Sequence, residues 1–401
     1  MAVGVRAFGA GSGYSPLMND SRPGIPADRY VERLAACREA VAACGFAALL
    51  IGVGPDLRYL TGFVGEPMER LTLLVIPVNG PVRFVVPHLE ATKAAATPLV
   101  AAGVAEVVPF GETDDVAARV AALLGAAKPA DPIGLSDRLW AMHVLQLQRA
   151  LSARRFEPAS TVLRDLRQVK DADEARLLRL AAQAADRTMD AIAAGPLVGR
   201  TEAEVGREIR GRLIDEGHDL ADFAIVGSGP NGAAPHHDAG DRVIAAGEPV
   251  VLDLGGTLAG YVSDTTRTIW VAGEAWIAPE PEFRRVFDVV RAAQAAATAA
   301  VKPGVPAEQI DAAARRVIGA AGYGEYFTHR VGHGVGLETH EDPYMVSGNV
   351  TPLRPGMAFS VEPGIYLPGR WGVRLENIVI CTDSGPEVLN HSSLDLRVVR
   401  G

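Results

Sequence analysis

Two rhythms of apolar residues alternate along this chain. One repeats every third or fourth position, as on a buried helix face; the other fills short β-branched runs suited to buried strands. The stretch RLAACREAVAACG keeps an apolar helical face and stops at Gly45, predicting a helix over 29–44. A strand follows over 47–53. Leu71–Pro77 and Val82–Pro87 then read as a hairpin-like pair around Asn79-Gly80. Helical patterns near 114–124 and 140–153 flank a short strand at Ile133-Gly134-Leu135. Residues 28–160 are thus expected to form a mixed α/β domain, behind a Gly/Ser-rich tail over 1–27 that lacks the apolar centre of a signal peptide. Thr161–Asp171 reads as a junction.

The second region, 161–401, repeats itself. Asp171-Ala172-Asp173-Glu174 caps a helix over 173–194 whose Leu177, Leu178, Ala181, Ala184, Ala185 and Met189 fall at helical spacing. Thr201 opens a second helix with a capping box closed by Glu204, and Gly217 ends it. A corresponding pair is predicted at 282–301 and from Pro306 to about Gly322, Pro306 standing at a first helical position where its missing N–H costs nothing. Gly247–Asp253 and Gly356–Glu362 each read as a Gly, a five-residue strand and a carboxylate, offset by 109 residues. A duplicated helix–loop–helix–strand unit of α+β character is the expectation.

Composition narrows the function classes. With 401 residues and 48% hydrophobic content, two cores can be filled. No segment approaches the ~20 uninterrupted apolar residues of a membrane span. The formal charge of −9, without a basic stripe, argues against nucleic acid. Cys37 and Cys44, seven apart on one helix face, read as buried space-filling thiols, and three unpatterned cysteines fit a reducing cytoplasm. His88 and His143 are isolated and read as hydrogen-bonded structural residues. Gly227-Ser228-Gly229-Pro230-Asn231-Gly232 matches a bare dinucleotide-loop pattern, but no periodic helix follows and Pro230 and Pro235 interrupt it. A loop bringing His236 close to a substrate fits those glycines better.

Candidate chemistry concentrates in the last third. Asp253 in VVLDLGG, Asp264 in YVSDTTRT, Glu362 in SVEPGIY and Glu376 in VRLENIVI all lie in or beside apolar runs, and His333 sits in GHGVG. Ionised carboxylates are costly in such surroundings unless cations accompany them. Oxygen-rich ligation with one imidazole suits Mn²⁺, Co²⁺, Fe²⁺ or Zn²⁺.

In these motifs the chain resembles the pita-bread metallopeptidases, the family of prolidase, aminopeptidase P and methionine aminopeptidase. The resemblance spans roughly 165–400. The preceding domain is similar to the creatinase-type domain of prolidases and aminopeptidases P. It implies two divalent ions, manganese first among the candidates. Asp264 and Glu376 would each be shared by both, Asp253 would complete one ion, and His333 with Glu362 the other. A water between them would be the nucleophile and Glu362 its proton shuttle. His236 and His340 would position substrate and stabilise the oxyanion. Arg374, two residues before Glu376, would orient a carboxylate or a substrate carbonyl, or simply pair with Glu376 or Asp264. His237, His329, Arg330 and Arg370 are weaker candidates. Wording such as Pro235-His236-His237 is similar to bacterial prolidases, so small proline-containing peptides are the implied partners and a cytoplasmic homodimer the implied assembly. Dipeptidase and aminopeptidase stay open, and a creatinase-like amidinohydrolase or a non-catalytic binding module remains a lesser alternative because the five ligand types are intact. Asn377 departs from the family, where an acid is frequent.

Overall fold

The computed structural model describes residues 23–124 and 131–400. Residues 1–22 of the expected tail lie outside the described residues, and the first helix, Ala27–Ala43, begins where that tail was expected to end. A six-stranded sheet organises the first region, in the order Ala105–Phe110, Val82–Pro87, Leu73–Pro77, Ala48–Gly52, Ile133–Leu135, Phe156–Pro158. Its central strand is buried throughout, which explains the unbroken apolar run. Leu49 and Ile51 pack with Leu34 and Phe84 on one face, while Leu50 packs with Val75 and Leu147 on the other. The hairpin at Asn79-Gly80 is present, with Leu73 opposite Val85 and Gly80 at φ 100°.

Three features differ from expectation. The edge strands Ala105–Phe110 and Phe156–Pro158 carry mixed burial and a proline, so neither alternation nor an apolar run marks them. The junction contains a helix, Ser160–Arg167, whose Val162 and Leu163 pack into the cluster of Leu34 and Phe84. Cys37 is buried as expected, but Cys44 is exposed, because the helix stops at Ala43 and leaves Cys44 beyond the packed face.

The second region contains two related halves. Leu220–Ser228, Glu248–Leu258, Thr265–Val271 and Val398–Val399 form one sheet, with Tyr261–Val262 folded back on the long strand. Glu341–Met345, Gly332–Gly334, Ala358–Val361, Asn377–Thr382 and Gly385–Val388 form the other, and Gly364–Leu367 pairs with Trp371–Arg374. Helices Ala172–Ala194 and Glu202–Asp215 bury Met189, Ile192, Val205 and Ile209 against Leu252 and Ile269 of the first sheet. Helices Pro281–Ala299 and Ala307–Ala320 bury Phe283, Val290 and Ile310 against Phe359 and Val361 of the second. The capping box predicted at Thr201 with Glu204 forms, and the cap expected at Asp171 is also a capping box, closed by Glu174. Pro306 is the N-cap itself, one position earlier than expected. Isolated bridges Thr201–Val243 and Pro306–Pro352 recur at matching places in the two halves. This is the duplicated α+β arrangement the sequence indicates.

The halves meet along a short seam. Thr268 Oγ1 donates to Arg374 O at 3.0 Å, and the amide of Glu376 donates to Thr266 O at 3.1 Å. Glu376 therefore stands in the link between Trp371–Arg374 and Asn377–Thr382, outside either strand.

Candidate metal centre

Every acid named from the sequence reaches this seam from within a buried strand or from a link beside one. Asp253 lies within Glu248–Leu258, Asp264 just before Thr265–Val271, and Glu362 just after Ala358–Val361. Asp264, His333 and Glu376 each offer a ligand atom within 4.8 Å of the others, and they are only 5%, 3% and 1% exposed. Glu362 joins through His333, whose Nε2 lies 3.1 Å from Glu362 Oε1 and 3.7 Å from Asp264 Oδ2. Asp253 Oδ2 accepts from Arg374 Nη2 at 2.6 Å. All five line one cavity of about 810 Å³ together with His236, His340, Arg330 and Arg374.

Their protonation is skewed by crowding in a dry place. Burial first, then the neighbouring charges of Glu376, Asp253 and Glu362, holds Asp264 well above the usual carboxylate range. Burial, with Glu362 and Asp253, does the same to Glu376. Burial also raises Asp253, against the opposing pull of Arg374. Glu362 goes the other way: burial pushes it up, but the hydrogen bond and charge of His333 outweigh this and bring it to about 2. His340, its ring 4.1 Å from that of His333, is pushed down to about 4 by burial and by His333, so it is neutral near pH 7.

Two atoms test whether cations fit here. Asp253 Oδ1 and Glu376 Oε1 are buried and have no hydrogen-bond partner. Orphaned buried carboxylate oxygens cost free energy unless something satisfies them. Both belong to residues that line the cavity with Asp264, Glu362 and His333, and a donor set of this kind fits hard or borderline divalent ions.

The remaining candidates separate. Arg374 pairs with Asp253, not with Glu376 or Asp264, and its Nη1 donates to Tyr366 Oη at 2.8 Å. His329 Nε2 shares the same hydroxyl at 2.8 Å. Tyr366 was not singled out in the sequence, where nothing distinguishes it from a strand tyrosine. Arg330 lines the cavity with its guanidinium 4.3 Å over the Tyr344 ring. His236 lines the cavity, but His237 bonds Glu202 through Nε2 at 2.7 Å. Glu202, fully buried, also accepts from Ser228 N, Ser228 Oγ and Asn231 Nδ2, so the glycine-rich loop is a carboxylate-clamped support for His236. That loop passes so close to the strand before Arg374 that a Cβ on Gly372 would strike Gly232 O. Arg370 pairs with Glu282 at an exposed position away from the cavity. His143 is a structural residue, bonded to Met68 O at 3.0 Å, whereas His88 is exposed. The departure at Asn377 leaves its Oδ1 accepting from Arg267 Nη2 at 2.8 Å.

A cavity lined by acids and imidazoles, at the seam of two helix-backed half-domains, defines a metal-dependent hydrolase architecture. Comparison with known proteins agrees. Residues 176–383 match metallopeptidase family M24, and residues 33–169 match the creatinase/prolidase N-terminal domain. The probable dipeptidase PepE of Mycobacterium tuberculosis is 45% identical over 374 residues, 93% of this chain and 97% of that protein. The crystal structure of dipeptidase PepE from Mycobacterium ulcerans superposes with a TM-score of 0.87 at 44% identity, covering 94% of this chain and 99% of that one. Recombinant prolidase from Thermococcus sibiricus gives 0.85 at 34% identity, covering 92% and 99%. The chain belongs to metallopeptidase family M24, with a creatinase-type N-terminal domain, and is a peptide-bond hydrolase. Among the described residues no helix is long and apolar enough to cross a membrane.

Proposed function

We propose that the protein hydrolyses Xaa-Pro dipeptides with two divalent ions, manganese foremost, held by Asp253, Asp264, His333, Glu362 and Glu376. The observation that carries this reading is the compact group Asp264–His333–Glu376 beside two orphaned carboxylate oxygens. The prolidase and dipeptidase names of its relatives support the substrate class. When bound, the ions would polarise the scissile carbonyl and make a water acidic enough to attack it near neutral pH.

The protein's own groups do the rest. Arg374 holds Asp253 in place and opposes the burial that raises its pKa. Glu362, steadied by Ser360 Oγ at 3.1 Å, takes the water's proton and delivers it to the leaving proline nitrogen. His340 and His236, facing the cavity, donate N–H groups to the developing oxyanion.

We take 28–160 and 161–401 as the two domains, connected through the helix Ser160–Arg167, whose Val162 and Leu163 pack on the first. A cytoplasmic homodimer completes the proposal. The deciding experiment strips the protein with chelator, restores Mn²⁺ or Co²⁺, and offers Ala-Pro, Gly-Pro and a longer X-Pro-X peptide. Metal-dependent cleavage of dipeptides alone is expected. Release of only the first residue from the longer peptide would make it an aminopeptidase, and no metal-dependent turnover would refute the reading.

A further inference from the structure

The role given to His340 in the proposed function requires an imidazole held still, yet the chain around it is neither helix nor ladder. His340 ends a bent segment that joins Gly332–Gly334 to Glu341–Met345. On its other side the segment borders a second cavity of about 210 Å³ at the junction with the amino-terminal domain, and His340 lines both cavities. Packing alone therefore restrains that side little.

Ion pairs supply the restraint. The acids that flank His340 are Glu338 and Glu341, and Arg167 Nη2 donates to both, at 2.6 Å each. Its Nη1 reaches Asp56 of the amino-terminal domain at 2.7 Å. Lys170 binds the other oxygen of Glu341, and Arg138 of the amino-terminal domain pairs with Glu338. Leu337 packs against Phe84 and its neighbours on one side and against Leu178 and Tyr261 on the other. Gly336 has no room for a Cβ, which would meet Glu341 Oε1. The Arg167 side chain is only 13% exposed, so these bonds are little screened by salt.

We propose that Arg167 is a positioning residue that ties the His340 segment to the amino-terminal domain, so that this domain contributes to turnover without touching substrate. The planar guanidinium is suited to the task, since it serves three carboxylates from a rigid fork that an ammonium cannot reproduce. The proposal rests on the reading of His340 as a substrate-facing donor.

A double-mutant cycle on the full chain tests it. Arg167→Lys, His340→Ala and the double variant are loaded with Mn²⁺ and assayed on Ala-Pro, with bound metal and thermal midpoint measured in parallel. Amide hydrogen exchange over 337–341 is followed in the metal-free proteins. Arg167→Lys should lower kcat by about ten-fold with metal content unchanged. In the His340→Ala background it should change kcat by less than about two-fold, and exchange over 337–341 should quicken. An equal loss of kcat in both backgrounds, or unaltered exchange, would overturn the proposal. If Arg167→Lys does not fold, Asp56→Asn replaces it, cutting only the far end of the tie. If His340→Ala keeps full kcat, the role of His340 fails by itself, and the exchange result alone then decides whether Arg167 holds the segment.

Discussion

Arg374 places Nη2 2.6 Å from Asp253 Oδ2, while Asp253 Oδ1 stays buried and unpartnered. One oxygen is thus satisfied by the protein and the other is open to the cation proposed above. Removing one partner of a buried pair costs about 3–5 kcal/mol, and protonation of Asp253 brings the loss toward the lower end. Arg374→Ala should therefore lower the melting temperature of the metal-free protein, and Mn²⁺ should recover a larger increment than in wild type. Melts in chelator and in Mn²⁺ read this directly; an unchanged increment would separate Arg374 from the metal centre.

Asp264→Ala and Glu376→Ala remove two members of the compact ligand group. Each variant should bind less than the wild-type complement of metal, measured by elemental analysis after dialysis, and lose nearly all turnover. Full activity in either would break the assignment of these acids as shared ligands.

Because burial and mutual repulsion hold Asp264 and Glu376 well above the usual range, the folded protein retains protons there that the unfolded chain has released. The metal-free protein should accordingly lose stability as pH rises from the unfolded values through the raised folded ones, and metal should flatten that slope. Metal uptake must also expel those protons. Calorimetric titration with Mn²⁺ at about pH 6 in buffers of different ionisation enthalpy should show proton release. Identical heats in all buffers would contradict it.

His340→Ala should keep its metal and lose roughly 10²–10³ in kcat, the usual cost of deleting an oxyanion donor. Metal content and single-turnover rates distinguish this from damage to the site, and an unaltered rate would leave His340 as a packing residue.

Glu202 behaves oppositely to the metal-site acids. Burial pushes it up, but hydrogen bonds from Ser228, His237 and Asn231 prevail and hold its pKa below the ordinary value. Its contribution is present above the unfolded carboxylate pKa and is lost as pH falls through the folded one. Glu202→Gln should cost roughly 2 kcal/mol near neutrality, and the gap to wild type should narrow on acidification. Urea unfolding at about pH 7 and about pH 4 would measure both. A gap that does not change with pH would mean that the charge of Glu202 is not what binds the loop.

Much of this was legible before any coordinates. Asp171 and Thr201 announce their helices because a capping box is complete within four residues. The buried strand Ala48–Gly52 announces itself because both faces are covered. The edge strands Ala105–Phe110 and Phe156–Pro158 stayed hidden, since an edge needs no apolar pattern. Cys44 was misplaced because seven-residue spacing predicts a shared face only while the helix continues.

The sequence by itself determined the duplicated halves and the acids and imidazole available to a metal, because periodicity, capping and the expense of burying charge are written in neighbouring residues. Only the tertiary structure decided that Arg374 meets Asp253, that His237 serves Glu202 in place of the cavity, and that Arg167 brackets His340. Those partners lie up to 174 positions apart. Which of several equally suitable charges meet is set by how the two half-domains and the amino-terminal sheet close on each other, and no local pattern encodes that closure.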